Sequence, residues 1–131
     1  LDLPFTGSSF NYILLPSTMY SAVAGVARRR AWLHDLGRLL KPGGLVLLSF
    51  SKPREASSPR TRFLAPLNRI LSRIPGSNPY YQEGDDCVGG HFLHDFQRET
   101  EIREELLSAG AIIKELQWER GFAVVALPSQ R

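Results

Sequence analysis

The stretch Leu39-Leu40-Lys41-Pro42-Gly43-Gly44-Leu45-Val46-Leu47-Leu48-Ser49-Phe50 decides the fold class of this chain. Its first part predicts the end of a helix, because Lys41 suits the negative end of a helix dipole and Pro42-Gly43 does not continue a helix. Its second part, residues 45–50, is almost continuously apolar, as expected for a strand covered on both faces of a parallel sheet. A helix, a glycine turn and a buried strand in this order predict an α/β protein.

Sequence patterns on both sides of this stretch continue the alternation of strands and helices. We predict strands at residues 11–15, 45–50, 111–118 and 122–127, and helices at residues 24–40, 63–74 and 101–109. Thr100 precedes the last helix and Gly110 ends it. The order predicts a parallel sheet that finishes in an antiparallel hairpin.

Length and composition are those of an ordinary globular protein. The chain has 131 residues, of which 43% are hydrophobic and 22% charged, and its net charge is +3. These values predict one domain with a real core. The single cysteine, Cys87, excludes an intramolecular disulfide and a four-thiolate metal site. No apolar run approaches the roughly 20 residues that span a bilayer, and no secretory leader is visible, so we expect a cytoplasmic protein without a membrane segment.

Four segments occur in an order and at a spacing that are informative together. They are Asp2-Leu3-Pro4-Phe5 with Ser9-Phe10-Asn11, then Arg38–Gly44, then His94-Asp95-Phe96 with Glu101-Ile102 and Glu105–Ala111, and last the hairpin. Together they resemble the carboxyl-terminal half of class I S-adenosylmethionine-dependent methyltransferases. The resemblance implies a partial Rossmann-like three-layer α/β sandwich over residues 1–131, with a variable cap at residues 51–90. The glycine-rich loop and acidic residues of the amino-terminal, cofactor-binding half have no counterpart, and we expect that half to lie upstream of Leu1.

The segment after the first predicted strand is the predicted cofactor site. Open parallel sheets bind ligands at the carboxyl ends of their strands. The resemblance implies S-adenosylmethionine as the cofactor, with Leu15, Pro16, Ser17 and Tyr20 beside its methionyl and sulfonium part. The alternative is a plain connection in which Ser17 or Ser21 caps a helix. The segment lacks the Asn- or Asp-Pro-Pro-aromatic motif of exocyclic base-amine and glutamine methyltransferases, which argues against that subclass.

Candidate substrate-binding residues are Lys52, Tyr80, Tyr81 and His94. Lys52 follows the second predicted strand and would meet an anionic substrate, whereas the two tyrosines would line a pocket from the cap. His91 and His94 are candidate general bases, because an imidazole titrates near neutrality. The alternatives are a solvated lysine, tyrosines that anchor a loop, and a structural His94. A metal site is not expected from so few ligands.

Two runs of positively charged residues could be either solvent-exposed surface or binding sites. The stretch 52–73 has six basic residues and one acid. We interpret it as a substrate lid with a solvated basic face. Nucleic-acid binding is the alternative, although only Phe63 could stack on a base. Arg28-Arg29-Arg30 lies in the first half of a predicted helix, where positive charge opposes the dipole. We predict an exposed face there, in preference to an anion site.

Two functions from different classes stay open. The first is methyl transfer from S-adenosylmethionine to an O, N or C nucleophile of a small-molecule substrate, by in-line displacement. The second is a non-catalytic α/β binding module whose exposed sheet edge is covered by a second copy or by a partner chain. Cofactor binding distinguishes the two functions.

Overall fold

A computed structural model describes residues 4–53, 82–88 and 90–128. In these ranges the helices are α1 (Ser17–Tyr20), α2 (Val26–Leu39) and α3 (Glu99–Ser108), and the strands are β1 (Phe10–Leu15), β2 (Leu40–Ser49), β3 (Asp85–Val88), β4 (His91–His94), β5 (Ile112–Gln117) and β6 (Phe122–Ala126). The predicted α/β class is confirmed. The helix predicted at residues 63–74 lies outside the described residues. The helix predicted after Thr100 begins slightly earlier, so that Thr100 lies within its first turn.

The main sheet has the strand order β1-β2-β6-β5. Strands β1 and β2 are parallel, and the chain between them passes through α1 and α2. Strand β6 is antiparallel to both β2 and β5, so the predicted terminal hairpin is confirmed and its second strand lies next to β2. Strands β3 and β4 form a separate antiparallel pair. A single parallel bridge between Ser51 and Asp95 connects this pair to the end of β2.

The glycine turn of the fold-deciding stretch lies inside β2 rather than before it. Leu40 is already extended, with φ −74° and ψ 138°, so the helix predicted at residues 24–40 ends one residue earlier, at Leu39, and Pro42-Gly43 lies beyond its end. The pairing with β1 runs from Phe10–Leu40 directly to Tyr12–Leu45, which makes residues 41–44 an irregular insertion in the ladder. Pairing with β1 therefore takes Leu40 into the sheet.

The core lies between one face of the main sheet and the helices α2 and α3. Alternate side chains of the strands point to this face, and α2 and α3 add the apolar side chains of their inner stripes. The fully or almost fully buried apolar residues include Leu15, Leu33, Leu36, Val46, Leu48, Ile102, Leu106, Ala123 and Val125. The described residues thus supply two of the three predicted layers, the sheet and the helices on one side of it.

The opposite face of β1 and β2 is apolar and uncovered by the described residues. Tyr12 and Leu14 are 77% and 70% exposed, and Leu47, which is opposite Leu14 in the register, is 40% exposed. Among the described strands, β1 also lies at an edge of the sheet. No helix in the described ranges is long and apolar enough to cross a membrane.

Candidate functional site

Two serine hydroxyls tie together the loops at the carboxyl ends of β1 and β2. The Ser49 hydroxyl accepts a hydrogen bond from the backbone N–H of Ser17 at 2.9 Å. The Ser21 hydroxyl accepts one from the backbone N–H of Ser51, also at 2.9 Å. Neither α1 nor α2 has a side-chain cap, so Ser17 and Ser21 do not cap these helices, whereas a plain connection stays the alternative to a cofactor site. The serines fix the geometry of the edge at which a parallel sheet binds ligands.

Two of the four predicted cofactor residues are buried, and the other two are at least partly exposed. Leu15 is 2% exposed and Tyr20 is completely buried, whereas Pro16 is exposed and Ser17 is half-buried. Within the described part of the chain, the Ser17 hydroxyl has no hydrogen-bond partner. Of the four predicted cofactor residues, the side chains available to a ligand are therefore those of Pro16 and Ser17, and cofactor binding by all four residues stays a prediction.

A buried ion pair lies directly beneath this segment. Arg29 of α2 donates to both carboxylate oxygens of Glu105 in α3, from Nε and Nη2, each at 2.8 Å. The two side chains are only 1% and 3% exposed. The Tyr20 hydroxyl donates to the same carboxylate at 2.5 Å. The prediction that Arg28-Arg29-Arg30 forms an exposed face is thus wrong for Arg29, although Arg28 and Arg30 are exposed.

The ionisation of this cluster follows from burial and from the shared carboxylate. Burial raises the pKa of Tyr20 well above its usual value of 10.0, and the charge of Glu105 raises it further. Burial alone would lower the pKa of Arg29, but the hydrogen bonding to Glu105 and the negative charge around the guanidinium together outweigh burial and raise it. The cluster therefore holds a neutral phenol, a guanidinium and a carboxylate.

A helical-spacing signal for this pair is present in the sequence. Arg29 precedes Leu33 and Leu36 by four and seven residues, so it lies on the apolar stripe of α2. Glu105 likewise lies between Ile102 and Leu106 on the inner face of α3. An opposite charge on each of two apolar stripes predicts a buried ion pair, and applying the spacing to the charged residues would have found it.

His94 is held by a carboxylate on each ring nitrogen. Its Nδ1 lies 2.7 Å from Asp85 Oδ1, and its Nε2 lies 3.0 Å from Glu101 Oε1. The imidazole is completely buried and packs almost perpendicular to the Phe96 ring, with the two ring centroids 4.7 Å apart. Because both carboxylates accept, a His94 that donates from both nitrogens is an imidazolium. In this arrangement His94 has no lone pair to accept a substrate proton, which favours the structural alternative, whereas His91 is exposed.

The cluster of His94, Asp85 and Glu101 makes the free energy of unfolding depend on pH. Burial alone would lower the pKa of His94, but the hydrogen bonds to Asp85 and Glu101 outweigh it and raise the pKa above 6.5. Stabilisation from His94 is therefore complete below about pH 6.5 and is lost as pH rises through the folded-state pKa. Burial raises the pKa of Glu101, but hydrogen bonds from His94 and the Gln97 N–H outweigh it and hold the pKa below 4.5. Its stabilisation is complete above about pH 4.5 and is lost on further acidification.

We therefore expect the cluster's contribution to the free energy of unfolding to be greatest between about pH 4.5 and 6.5. Urea unfolding from pH 5.5 to 8.5 should show stability falling with pH, and this slope should be lost in His94→Gln. The exposed His91→Gln is the matched control and should keep the slope. An NMR titration in which the His94 ring deprotonates below pH 6.5 would contradict the prediction.

Lys52 follows Ser51 beyond the end of β2, and its side chain extends to the turn between β5 and β6. Its ammonium donates to the Glu119 backbone oxygen at 2.9 Å and lies 5.2 Å from the centre of the Trp118 ring. It is thus held against the turn between β5 and β6. Tyr80 and Tyr81 lie outside the described residues, as do most of the predicted cap and of the basic stretch 52–73. The described residues contain no group of three or more side chains suited to a metal ion.

Comparison by sequence finds no matching family model and no matching curated protein. Comparison by structure finds a SAM-dependent methyltransferase from Methanosarcina mazei, with a TM-score of 0.65 and 18% identity over 98% of this chain and 64% of that chain. The PH0226 protein from Pyrococcus horikoshii has a TM-score of 0.57 and 13% identity, over 97% of this chain and 56% of that chain. A chain of the complex between the Haloferax volcanii Trm112 methyltransferase activator and a candidate methyltransferase has a TM-score of 0.54 and 15% identity, over 99% and 59%.

These similarities establish the fold. The chain has the fold of part of a class I S-adenosylmethionine-dependent methyltransferase, as the sequence resemblance implied. It spans between 56% and 64% of the length of the three similar chains. The serine-linked loops lie at the carboxyl ends of its two parallel strands.

Proposed function

We propose that this chain forms the carboxyl-terminal part of a cytoplasmic S-adenosylmethionine-dependent methyltransferase, acting on an O, N or C nucleophile of a small molecule. The observation that carries the proposal is the serine-linked pair of loops at the ends of β1 and β2, in a chain with a methyltransferase fold. The residues after β1 suit the methionyl and sulfonium part of the cofactor. The half-buried Ser17 hydroxyl has no partner among the described residues, and the Leu15 and Tyr20 side chains of the same segment are buried.

The work left to the protein in such a reaction is mainly positioning. When bound, S-adenosylmethionine supplies a methyl group on a sulfonium, which is already a good leaving group. This chain's contribution would be to hold the loops after β1 and β2 at a fixed distance through Ser49 and Ser21. The buried Leu15 and Tyr20 would exclude water from the inner side of the site. His94 does not act as the base in this proposal, because both of its ring nitrogens are bonded to carboxylates. Lys52 could meet an anionic substrate only by leaving the β5–β6 turn.

Calorimetric titration of S-adenosylhomocysteine tests the proposal. The titration is made into the 131-residue chain and into the longest protein that its gene encodes. We expect saturable binding in the longer protein, and a loss of roughly fivefold in affinity in Ser49→Ala, because a hydrogen bond contributes about 1 kcal/mol. Ser9→Ala removes a half-buried hydroxyl at the other end of β1 and should leave the affinity unchanged. Absence of binding by both proteins would contradict the proposal.

The uncovered sheet face favours the second function, a binding module completed by another chain. An apolar face beside an open strand edge is typical of a surface that another domain or chain covers. Tyr12, Leu14 and Leu47 form such a face beside the edge of β1. We propose that a protein partner or a second copy covers it if the chain is not catalytic. A defined complex that binds no S-adenosylhomocysteine would support this second function over the first.

A further inference from the structure

Two carboxylates on α3, Glu101 and Glu105, lie one helical turn apart, and each binds a residue near the predicted site. Glu101 bonds to His94 of β4, and Glu105 bonds to Arg29 of α2 and Tyr20 of α1. Among the elements that these two carboxylates bind, α1 is part of the predicted cofactor loop itself, since it begins two residues after β1 ends. The contacts of Glu105 therefore bear directly on the shape of that loop.

We propose that Tyr20, Arg29 and Glu105 form a positioning triad, which sets the conformation of the cofactor loop, residues 16–21, without contacting the cofactor. The inference rests on the proposed function of that loop. It reassigns Tyr20 from a cofactor contact to a residue that acts through buried bonds. It also gives Arg29 and Glu105 a role that the sequence patterns did not suggest.

Helix α1 needs an external restraint because it cannot be stable by itself. It has four residues and no side-chain cap, and a helix of one turn is far below the length at which helices persist in water. Its last residue, Tyr20, supplies two tertiary contacts. The hydroxyl donates to Glu105 at 2.5 Å, and the ring stacks on Phe96 with centroids 6.1 Å apart and planes 8° apart. Tyr20 thus fixes one end of α1.

The carboxylate that receives Tyr20 is itself rigidly oriented. Arg29 binds both of its oxygens, and such a two-bond pair fixes the plane of the carboxylate. The guanidinium is fixed in turn by the Val23 backbone oxygen at 3.0 Å and by Gln82 Oε1 at 3.2 Å. If Tyr20 turned away, the Glu105 carboxylate would lose the hydrogen bond that it accepts from the Tyr20 hydroxyl. Because the Glu105 side chain is only 3% exposed, water would not replace this bond.

The serine links restrain both ends of the loop, since Ser17 lies near its start and Ser21 is its last residue, next to Tyr20. The Ser17 N–H is bound by Ser49, and Ser21 binds the Ser51 N–H. The loop is therefore restrained from β2 at both serines and from α3 at Tyr20. A loop that is ordered before binding does not pay the ordering cost at the moment of binding. The triad is expected to preform the loop in the protein without ligand.

Amide hydrogen exchange of the 131-residue chain tests this role. Tyr20→Phe removes the hydroxyl and keeps the stacking ring. We expect exchange at residues 17–23 to become about tenfold faster or more, because a buried bond to a carboxylate is lost. Residues 112–126 of the β5–β6 hairpin should keep the exchange rates of the unmodified chain. Tyr12→Phe, at a tyrosine that is 77% exposed, is the matched control and should change nothing.

The outcomes separate positioning from general stability. In Tyr20→Phe, unchanged exchange at residues 17–23, or equal acceleration in the hairpin, would overturn the proposal, because a merely structural residue weakens the whole fold together. Glu105→Gln should accelerate exchange in residues 17–23 and in the hairpin alike, because it also leaves the buried Arg29 guanidinium without its anion, so Tyr20→Phe carries the test. The result does not depend on cofactor. If no form of the protein binds S-adenosylhomocysteine, the proposed function fails, whereas exchange still decides whether the triad orders the loop.

Discussion

Replacing Arg29 with methionine is expected to lower the free energy of unfolding by about 3–5 kcal/mol, since it leaves the buried Glu105 carboxylate without its cation. The neutral side chain keeps most of the volume but makes none of the bonds to Glu105, Val23 and Gln82. A domain of this size is stable by about 5–15 kcal/mol, so the loss is a large part of the total. Urea unfolding followed by circular dichroism measures it.

Arg30→Met is the matched control, because Arg30 is the next residue of the same helix and is exposed. Its expected effect is within about 0.5 kcal/mol. Replacing both charges together, in Arg29→Met with Glu105→Leu, should recover much of the lost stability, because no unpaired buried charge remains. Equal small effects of Arg29→Met and Arg30→Met would show that the ion pair contributes nothing to stability.

The elements that the sequence predicted correctly are those fixed by local patterns. The apolar run before Pro16, the helical spacing in α2 and the glycine turn of the hairpin each depend on residues within one element. Each was located to within two residues. The likeness to methyltransferases likewise rested on the order of short segments, and the structural comparison confirmed the fold.

The features that the sequence did not predict depend on contacts between distant segments. Arg29 and Glu105 are 76 residues apart, and their pairing turned an expected surface charge into part of the core. Leu40 entered the sheet because it pairs with Phe10, which local helix-stop signals do not register. His94 lies only nine and seven residues from its two carboxylates, but a buried histidine with a carboxylate on each nitrogen has no sequence pattern.

Replacing Gly44 with valine is expected to lower the free energy of unfolding by about 3 kcal/mol or more. A Cβ at this position would lie 2.9 Å from the Lys41 backbone oxygen and 3.0 Å from that of Asn11. Both are backbone atoms at the irregular insertion between β1 and β2, so relief requires moving the parallel ladder. Gly44 does not have a positive φ, so the loss of stability comes from crowding and not from backbone strain. Chemical unfolding measures the loss.

Gly43 supplies the contrast that separates crowding from conformation. Its φ is +78°, and a Cβ there would meet no atom within 4 Å. Gly43→Val should therefore cost about 1–2 kcal/mol through backbone strain alone, and Gly43→Asn should cost less, because asparagine tolerates the left-handed region. Substitution is therefore costly at both glycines, through crowding at Gly44 and through backbone strain at Gly43. Gly44→Ala already places the clashing Cβ, so a Gly44→Ala protein as stable as Gly43→Asn would show that β1 and β2 do not approach this closely.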